Sequence, residues 1–404
     1  MDTDRGLVRP VAKMISVLYV TTIPQTLGFL DGQIGYLKAR GLDVAAISSP
    51  GRELEDFGRR VGVPVHAVEM PRRISPGLDM MAVWRVRRHI LRLRPEIVHA
   101  LTPKAGSVAM AGARLARVPV RIYQMVGLRY VTASGAKRRV LKWSERLSCR
   151  LAHQVLCVSP SLREFSISEG LCRAGRTKVL VNGSISGVDA RTDFNPEQHD
   201  ESVRAKIRRT WGIPPDSPVI GYVGRIVRDK GITELAEAWK LLRDEWSGLH
   251  LLVTGRFEPQ DPLPAAVVEF LQSDPRVHLT GYVPATPPLY AAMDILTLPT
   301  YREGFPNTPL EAAAMGLPVV ATRIPGCVDA VQEGKTGILV PSGSAEALAG
   351  ALRKYLGDPI LRRTHGEAGR ERVLRDFRPE TIWDAVYQEY LRLAESRPVG
   401  DRAQ

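Results

Sequence analysis

Short apolar runs alternate with amphipathic stretches along the whole chain, and they fall into two halves of similar organisation. In the first half, runs rich in β-branched residues predict strands at residues 15–20, 44–48, 65–68, 97–100, 120–123, 155–158 and 179–181. In the second half, such runs predict strands at residues 219–223, 249–253, 277–279, 295–298, 319–321 and 338–340. Helical stretches between them, such as residues 32–39 and 107–116, indicate βαβ units and parallel sheets covered on both faces.

Each half is therefore predicted to be a doubly wound α/β domain, in which ligands bind beyond the carboxyl ends of the strands. A length of 404 residues allows each domain its own core. A stretch rich in Asp, Asn, Glu and Ser at residues 183–202 is the predicted connection, which divides the chain into residues 1–200 and 201–378. The last segment, residues 379–395, has apolar positions at helical spacing and predicts an amphipathic helix.

The composition narrows the class of protein. Apolar residues make up 44% of the chain and charged residues 25%, as in soluble globular proteins. Apolar runs stay short of the roughly 18–20 residues that span a bilayer. The run at residues 14–23, which follows Asp2 and Asp4, predicts a first strand rather than a signal peptide. The four cysteines lack the paired spacing of metal sites, so we expect reduced thiols in a cytoplasmic protein.

The net charge of +13 is concentrated in the first half, since residues 1–190 carry +16 and the remainder −3. Much of the excess lies in two predicted helices, residues 80–94 and 136–150, which set Trp84 and Trp143 among arginines and lysines. Such helices suit an anionic membrane surface, which attracts each nearby basic residue by about 1 kcal/mol. The alternative is a core-facing helix with a solvated basic face. Nucleic acid is disfavoured as a partner because no recognised nucleic-acid motif accompanies the charge.

Two carboxylates flank a predicted helix start in the segment YREGFPNTPLEAAAMG, residues 301–316. Glu303 follows the strand at residues 295–298, and Thr308, Pro309 and Glu311 have the spacing of a capping box with proline in the first helical position. The free N–H groups and the dipole at such a start form an anion site. Taken alone, Glu311 is explained as a capping residue and Glu303 as a solvated loop charge.

A second loop in the same half, GYVGRIVRDKG at residues 221–231, changes this interpretation. Gly224 ends the strand, and Arg225 and Lys230 are spaced so that both can reach one point. Two cations that hydrogen-bond to a diphosphate contribute about 1.5–3 kcal/mol each. The sequence thus places two phosphate-binding cations beside two carboxylates that can bind hydroxyls. A nucleotide-sugar carries both kinds of group and is the predicted ligand.

With these motifs, the second half resembles the retaining glycosyltransferases of family 4, which have the two-domain GT-B fold. The resemblance rests on the Arg225/Lys230 loop, on Glu303 and Glu311 with seven residues between them, and on residues 281–283, 315–321 and 334–337. Residues 20–24, 47–51, 101–106 and 182–184 extend it over nearly the whole chain, toward a subgroup that builds bacterial capsule, exopolysaccharide and other envelope glycans. It implies two Rossmann-like domains facing a central cleft, an acceptor-binding one and a nucleotide-sugar-binding one, with a terminal helix at residues 379–396 that crosses back onto the first domain.

The resemblance also implies roles for individual residues. Arg225 and Lys230 would neutralise the leaving diphosphate, and Glu303 would hold hydroxyls of the donor sugar. Glu311 would accept hydrogen bonds from the ribose, in competition with its capping role. Further donor-binding candidates are Gly28, Gly224, Arg256, Val283, Gly304, Phe305, Pro306, Asn307, Thr308 and Leu310. Because the loop after the first strand lacks a GxGxxG sequence, Gly28 is interpreted as a close approach of backbone to a substrate, not as part of a dinucleotide site.

One departure from the family pattern concerns the first domain. Many relatives carry a histidine in the loop after the fifth strand, where this chain has Val126, so a catalytic histidine at that point is in doubt. His99, at the end of the fourth strand, could face the cleft, and a buried structural histidine is an equal alternative; Lys104 is a second possible cleft residue. Since no DxD pair accompanies the cationic loop, we expect no cofactor and no obligatory metal ion.

The predicted function is transfer of a sugar, with retention of configuration, from a nucleotide-sugar to a glycan acceptor. By family habit the donor is a UDP-sugar and the acceptor a polyprenyl-diphosphate-linked saccharide in bacterial polysaccharide synthesis. The protein is expected in the cytoplasm, peripheral to the inner face of the cell membrane. Two alternatives stay open: a nucleotide-sugar 2-epimerase of the same fold, and a non-catalytic nucleotide-sugar-binding protein associated with the membrane.

Overall fold

The computed structural model describes residues 14–71 and 75–396, which form two parallel β-sheets with helices on both faces. Asp2 and Asp4, used above to argue against a signal peptide, lie outside the described residues. The seven-stranded first sheet has the order β3-β2-β1-β4-β5-β6-β7. Its strands are β1 Ser16–Val20, β2 Asp43–Ser48, β3 Val65–Ala67, β4 Ile97–Leu101, β5 Val120–Met125, β6 Gln154–Cys157 and β7 Thr177–Lys178.

Six of these strands match the predicted runs to within one or two residues, and the seventh does not. The prediction of a strand at residues 179–181 is wrong, because pairing stops at Lys178. Val181 has a φ of 50°, in the left-handed region that β-branched residues rarely adopt. This conformation turns the chain away from the sheet edge, so an apolar run that suits a strand by composition leaves the sheet.

Two layers of helices from the first half of the chain cover the first sheet. They are α1 Asp31–Ala39, α2 Arg52–Val61, α3 Pro76–Leu93, α4 Pro103–Leu115, α5 Gly135–Leu151 and α6 Pro160–Ser168. Because side chains alternate along a strand, Val17 and Tyr19 of β1 join a core with α1 and α2, while Leu18 and Val20 join one with α3 and α4. Helix α4 lies between α3 and α5. These three helices therefore form one layer.

The second sheet has six parallel strands in the order β10-β9-β8-β11-β12-β13. The strands are β8 Val219–Val223, β9 His250–Thr254, β10 Val277–Gly281, β11 Ile295–Leu298, β12 Val319–Thr322 and β13 Gly337–Val340. The helices are α7 Glu201–Thr210, α8 Ile232–Arg243, α9 Ala265–Ser273, α10 Pro287–Ala291, α11 Asn307–Ala314, α12 Cys327–Ala330, α13 Ala345–Gly357 and α14 Pro359–Asp376. All six strands overlap the predicted runs. Strands β8, β9, β11 and β12 are buried at every residue, as in a parallel sheet covered on both faces, whereas the edge strand β10 is buried only at Val277.

The connection between the sheets is a run of turns and loops over residues 179–200. Helix α7 follows it, with Asp200 at its N-cap accepting hydrogen bonds from the N–H groups of Ser202 and Val203. Arg204 and Arg208 of α7 both bind the carboxylate of Asp294, at the start of β11. Helix α7 is thus attached to the second sheet, and a domain division at residue 200 stays a prediction.

The terminal helix α15, Pro379–Glu395, crosses back onto the first sheet, as expected. The Tyr390 hydroxyl lies 2.7 Å from that of Tyr19 and 2.6 Å from Nδ1 of His99. Lys178 Nζ, at the end of β7, lies 2.7 Å from Oε2 of Glu389. These contacts are buried or half-buried and fix the helix to the first domain. Within residues 14–71 and 75–396, no helix is long and apolar enough to cross a membrane.

Candidate active site

The two loops predicted to bind the donor follow adjacent strands. Strands β8 and β11 pair in the centre of the second sheet, so their carboxyl ends lie side by side. Arg225 and Lys230 follow β8, and Glu303 follows β11. All three line one cavity of about 200 Å³, whose other lining residues are Val126, Gly127 and Leu128 from the first domain and Asp229, Arg302 and Gly304. The positive pair and Glu303 therefore face the same space.

Two glycines allow the loop after β8 to lie against its neighbours. Gly231 follows the short 3-10 turn Arg228–Lys230 with a φ of 70°, and a Cβ atom there would lie 1.9 Å from the carbonyl oxygen of Pro299. Gly255 has a φ of 150°, and its Cβ would lie 1.7 Å from the carbonyl oxygen of Gly224. Since no side chain fits at either position, the glycines bring the end of β8 close to the ends of both β11 and β9.

Lys230 and Glu303 form an ion pair in the cavity, through Nζ and Oε1. Their side chains are only 17% and 13% exposed, so both charges are largely removed from water. Removal of one partner of a buried pair leaves an uncompensated charge and costs about 3–5 kcal/mol. The pair holds the two side chains in place, and an ammonium and a carboxylate each have further hydrogen-bonding capacity for a ligand.

Arg225 is the exposed member of the group, with 47% of its side chain accessible to solvent. Its Nη1 lies 3.1 Å from Oε2 of Glu258, and the Tyr222 hydroxyl donates to its carbonyl oxygen at 2.7 Å. Exposed ion pairs contribute about 1 kcal/mol or less. A bound anion can therefore compete with Glu258 for the guanidinium while Tyr222 keeps the backbone fixed.

A second ion pair, Asp229–Arg302, lines the same cavity and was not found from the sequence. Arg302 Nε donates to Oδ2 of Asp229 at 2.8 Å and to Oγ1 of Thr132, in the first domain, at 3.1 Å. Burial opposes ionisation of Asp229, but the guanidinium of Arg302 outweighs it and the pKa of Asp229 falls below its ordinary value. Both residues lie inside the two segments singled out above, residues 221–231 and 301–316, but they are 73 positions apart and local sequence does not show that they pair.

The predicted capping box at Thr308 and Glu311 is wrong. Helix α11 begins at Asn307 with Pro306 at its N-cap, so Thr308 is already the second helical residue. The Thr308 hydroxyl lies 3.5 Å from the carbonyl oxygen of Val223, at the end of β8. Oε2 of Glu311 instead accepts a hydrogen bond from the Tyr290 hydroxyl at 2.7 Å, and burial raises the pKa of Glu311. The competition between capping and ligand binding is therefore removed.

The other residues of this loop are packed between the two domains. A Cβ atom on Gly304 would lie 2.1 Å from the carbonyl oxygen of Val126, so only glycine fits there. Phe305 is buried with its ring 5.4 Å from that of Phe377. The Asn307 side chain bonds to the hydroxyls of Ser184 and Ser186. Pro306 and Leu310 are buried too, so the side chains of this segment hold the loop, and Gly304 is the one of these residues that lines the cavity.

Two of the donor-binding candidates, Arg256 and Val283, follow the ends of β9 and β10. The N–H of Gly255 donates to the carbonyl oxygen of Gly281 at 2.9 Å and joins the two strand ends. The guanidinium of Arg256 lies 4.3 Å above the ring of exposed Tyr282. Val283 follows and is half-buried. The ends of β9 and β10 thus present backbone groups and the exposed ring of Tyr282 beside Arg256.

Residues 31–183 match the family described as "Glycosyl transferase 4-like domain", and residues 217–358 match "Glycosyl transferases group 1". The chain is 32% identical over 385 residues to the capsular polysaccharide biosynthesis glycosyltransferase CapM of Staphylococcus aureus, which covers 94% of this chain and 99% of the relative. The chain belongs to the family 4-like glycosyltransferases.

Two further comparisons agree with this assignment. The glycosyltransferase is 27% identical over 326 residues to the N,N'-diacetylbacillosaminyl-diphospho-undecaprenol alpha-1,3-N-acetylgalactosaminyltransferase of Campylobacter jejuni, covering 79% of this chain and 84% of that one. The crystal structure of Anabaena Alr3699/HepE in complex with UDP-glucose has the same fold, with a TM-score of 0.76 at 20% identity over 94% of this chain and all of that one. The predicted GT-B architecture is confirmed.

The first-domain candidates of this glycosyltransferase lie in three different places. His99 is fully buried beside Tyr390, and burial lowers its pKa to about 3, so it is the structural histidine of the two alternatives. Gly28 lies exposed in the 3-10 helix Pro24–Leu30, away from the lining of the cavity described above. Lys104 is in the first turn of α4, with Nζ 2.5 Å from Oδ1 of Asp79, and lines an adjoining cavity.

Possible metal ligands and the state of the cysteines follow from the arrangement of the side chains. Within residues 14–71 and 75–396, no group of three or more His, Cys, Asp or Glu side chains is arranged to hold a metal ion. The four cysteines are free thiols. The expectation that the glycosyltransferase needs no metal and no cofactor stays a prediction.

Proposed function

We propose that this glycosyltransferase transfers a sugar, with retention of configuration, from a UDP-sugar to a saccharide linked to polyprenyl diphosphate, in bacterial polysaccharide synthesis. The observation that carries the proposal is the joint position of Arg225, Lys230 and Glu303 around one cavity. The names of the relatives support it: CapM acts in capsular polysaccharide biosynthesis, and the Campylobacter enzyme is named for a diphospho-undecaprenol acceptor. The HepE structure contains UDP-glucose.

Each charged side chain of the cavity has a task in the proposed reaction. The bond between the anomeric carbon and the β-phosphate oxygen breaks, and negative charge develops on that oxygen. Arg225 and Lys230 stabilise this charge, which is greater in the transition state than in the bound donor. The acceptor hydroxyl oxygen bonds to the anomeric carbon, and its proton passes to the departing phosphate. Glu303, held by Lys230, accepts hydrogen bonds from hydroxyls of the donor sugar.

Glu311 is assigned to the ribose. Tyr290 occupies one of its carboxyl oxygens, and the helix start needs neither of them. The other oxygen can accept a hydrogen bond from a ribose hydroxyl, and such bonds compensate for the burial that raises its pKa. The rival 2-epimerase reaction needs an acid and a base near the sugar. Among the described residues of the first domain, those that line the cavity are Val126, Gly127 and Leu128, whose side chains supply neither.

The proposal is tested by incubating the purified protein with a panel of nucleotide-sugars, with and without a polyprenyl-diphosphate-linked saccharide. We expect consumption of a UDP-sugar that depends on acceptor, and a product linkage of the donor's own anomeric configuration by NMR. Arg225→Gln should lower kcat/KM by about 100-fold, the scale of one lost transition-state contact. The control Arg323→Gln removes an exposed arginine of the same domain and should change kcat/KM little. An inverted product, or donor epimerised without acceptor, would contradict the proposal.

We further propose that the layer of α3, α4 and α5 rests on an anionic membrane. Trp84 on α3 and Trp143 on α5 are 54% and 63% exposed, so neither ring packs in the core. Leu115, at the end of α4 between them, is exposed as well. The Arg87 guanidinium lies 5.4 Å from the Trp84 ring, among the other basic residues of α3. Exposed apolar and cationic side chains on one layer have the chemistry of an interfacial surface.

Vesicle co-sedimentation tests this surface. Vesicles with phosphatidylglycerol should retain the protein at low salt and release it as salt rises, because the attraction is screened. Trp84→Ala with Trp143→Ala should weaken binding by about tenfold or more. Phe29→Ala, which removes an exposed ring outside the α3–α5 layer, is the control. Equal binding of the double variant and the control, or binding that salt does not change, would refute the surface.

A further inference from the structure

A second cavity, of about 310 Å³, lies between the domains beside the first. Of the residues that the structure describes, its lining includes four basic ones, Lys104, Arg129, Arg225 and Arg302, and no acidic one. Arg225 and Arg302 also line the cavity of Glu303, so the two spaces adjoin across these guanidinium groups. The first domain thus contributes Lys104 and Arg129 to a cationic space that the donor residues do not explain.

The backbone that presents Lys104 is strained. Thr102, which precedes α4, has a φ of 78°, a conformation that β-branched residues rarely adopt. Its conformational free energy is unfavourable, as for other strained residues at functional sites. Its hydroxyl lies 2.7 Å from that of Thr22, whose Oγ1 also accepts the N–H of Ala105 at 3.1 Å. Both threonines line the cavity. The contacts from Thr22, in the loop after β1, therefore hold the strained residue beside the cavity that Pro103 and Lys104 of α4 also line.

The acidic partners of these cations lie outside the cavity lining. Asp79 of α3 binds Lys104, and Glu258 binds Arg225. Arg129 acts on Glu145 of α5, where burial raises the pKa of the carboxyl and the charge of Arg129 opposes part of that rise. The carboxylates position the cationic side chains from behind and leave the cavity surface itself positive. Such a surface recognises a multiply charged anion, and phosphate is the group for which arginine and lysine donors are best suited.

We propose that this second cavity binds a phosphate group of the acceptor, through Lys104 and Arg129, while the donor diphosphate occupies the first. The inference rests on the proposed function, which supplies a second phosphate-bearing substrate. Its position agrees with a lipid-linked acceptor, because Asp79 places Lys104 against the start of α3, where Leu78, Met80 and Met81 are exposed. A chain attached to the bound phosphate can leave along this apolar edge.

The test measures binding of inorganic diphosphate by calorimetry to the full-length protein, with and without saturating UDP. We expect wild-type protein to bind UDP and, when saturated with it, to bind a further diphosphate. Lys104→Gln with Arg129→Gln should weaken this second event by at least about tenfold, the loss of one or two charge-assisted contacts, and leave UDP affinity unchanged. Arg114→Gln, an exposed charge at the far end of the same α4, is the matched control.

The outcomes separate the two proposals. Diphosphate binding that disappears under saturating UDP would overturn the inference, because one site would then explain all binding. Binding that the double variant retains would overturn it as well, because Lys104 and Arg129 would then not form the site. Farnesyl diphosphate should displace inorganic diphosphate from the UDP-saturated protein; failure to do so would overturn the assignment to an ester-linked acceptor. If UDP does not bind while diphosphate binding depends on Lys104 and Arg129, the UDP donor is wrong and the anion site stands.

Discussion

The hydroxyl of Ser159 donates a hydrogen bond to the carbonyl oxygen of Gly304, 2.8 Å away, across the interface between the two domains. The same Oγ accepts the N–H of Leu162 and so caps α6. Two residues on, the N–H of Ser161 donates to Oδ2 of Asp329 at 3.1 Å, and its Oγ accepts the N–H of Gly326 at 2.7 Å. The start of α6 therefore fastens the second domain at two points, one of them the residue after Glu303.

Ser159→Ala should lower kcat by about tenfold, because the Glu303–Gly304 loop loses a contact that fixes its position. It also removes an N-cap, which costs about 0.5–2 kcal/mol of stability. Ser344→Ala is the matched control, since Ser344 caps α13 by accepting the N–H of Ala347 and its cap contact stays within the second domain. We expect similar losses in the free energy of unfolding for both variants and a loss of kcat for Ser159→Ala alone. Equal turnover in the two variants would limit Ser159 to capping.

Glu303→Gln should reduce kcat by roughly 100-fold or more while UDP affinity stays nearly unchanged, because the carboxylate is assigned to the sugar and not to the nucleotide. Lys230 loses its charged partner in this variant but keeps an amide oxygen as acceptor, so the protein should stay folded. Calorimetry with UDP and single-turnover kinetics measure the two effects. Glu333→Gln, in an exposed pair with Arg323, is the control. A variant with full turnover would remove Glu303 from the proposed mechanism.

The sequence allowed correct prediction of the elements that are buried on both faces. Residues 219–223 and 295–298 were predicted as strands and form them with the same bounds, since parallel central strands are apolar throughout. The helix at residues 379–395 also has its predicted bounds, with Pro379 at its first turn and Tyr390 on its buried face. Loops that follow adjacent strands had to converge, which is why Arg225, Lys230 and Glu303 could be placed around one point.

Features that depend on contacts distant in sequence could not be predicted. Thr308 has every local mark of an N-cap, but Pro306 takes that position because the loop is held by Ser159 and Val126 of the other domain. The Asp229–Arg302 pair needs the two loops already folded. His99 fits both a cleft and a core, and only the return of α15 places Tyr390 against it. The local sequence pattern predicts a helix or a strand. The position of the N-cap, the ion pair and the surroundings of His99 depend instead on residues distant in sequence that pack against these elements.

Tyr390→Phe tests the attachment of α15. The change removes the hydrogen bond between Tyr390 and Nδ1 of His99 inside the core, and the one between Tyr390 and the Tyr19 hydroxyl, which keeps its bond from Nε2 of Gln33. A buried polar group that loses its hydrogen bond costs about 1–3 kcal/mol, so the free energy of unfolding should fall by about that amount. Tyr387→Phe, one turn earlier on the same helix, is the control and should change stability little. Equal denaturation midpoints for the two variants would contradict a stabilising role for this network.

The buried carboxyl of Glu145 should make the free energy of unfolding depend on pH. It is buried on α5, and burial raises its pKa from 4.5 to about 7, against the opposing effects of the Tyr123 hydroxyl, which donates to it at 2.7 Å, and of Arg129. Between these pH values the native protein keeps a proton that the unfolded chain has released. The contribution of Glu145 to the free energy of unfolding is therefore complete below about pH 4.5 and falls by about 3 kcal/mol as pH rises to 7.

Glu145→Gln should remove this dependence, because the amide carries no charge at any of these pH values and its oxygen can still accept from Tyr123. Denaturant unfolding at several pH values from 4.5 to 8 measures the effect. We expect the variant to be more stable than the wild type at pH 8 and the difference to shrink toward pH 5. Glu164→Gln, an exposed carboxylate on α6, should follow the wild type. A constant difference across this range would show that the Glu145 carboxyl is already ionised at pH 5, because its ionisation in the native state would then match that in the unfolded chain.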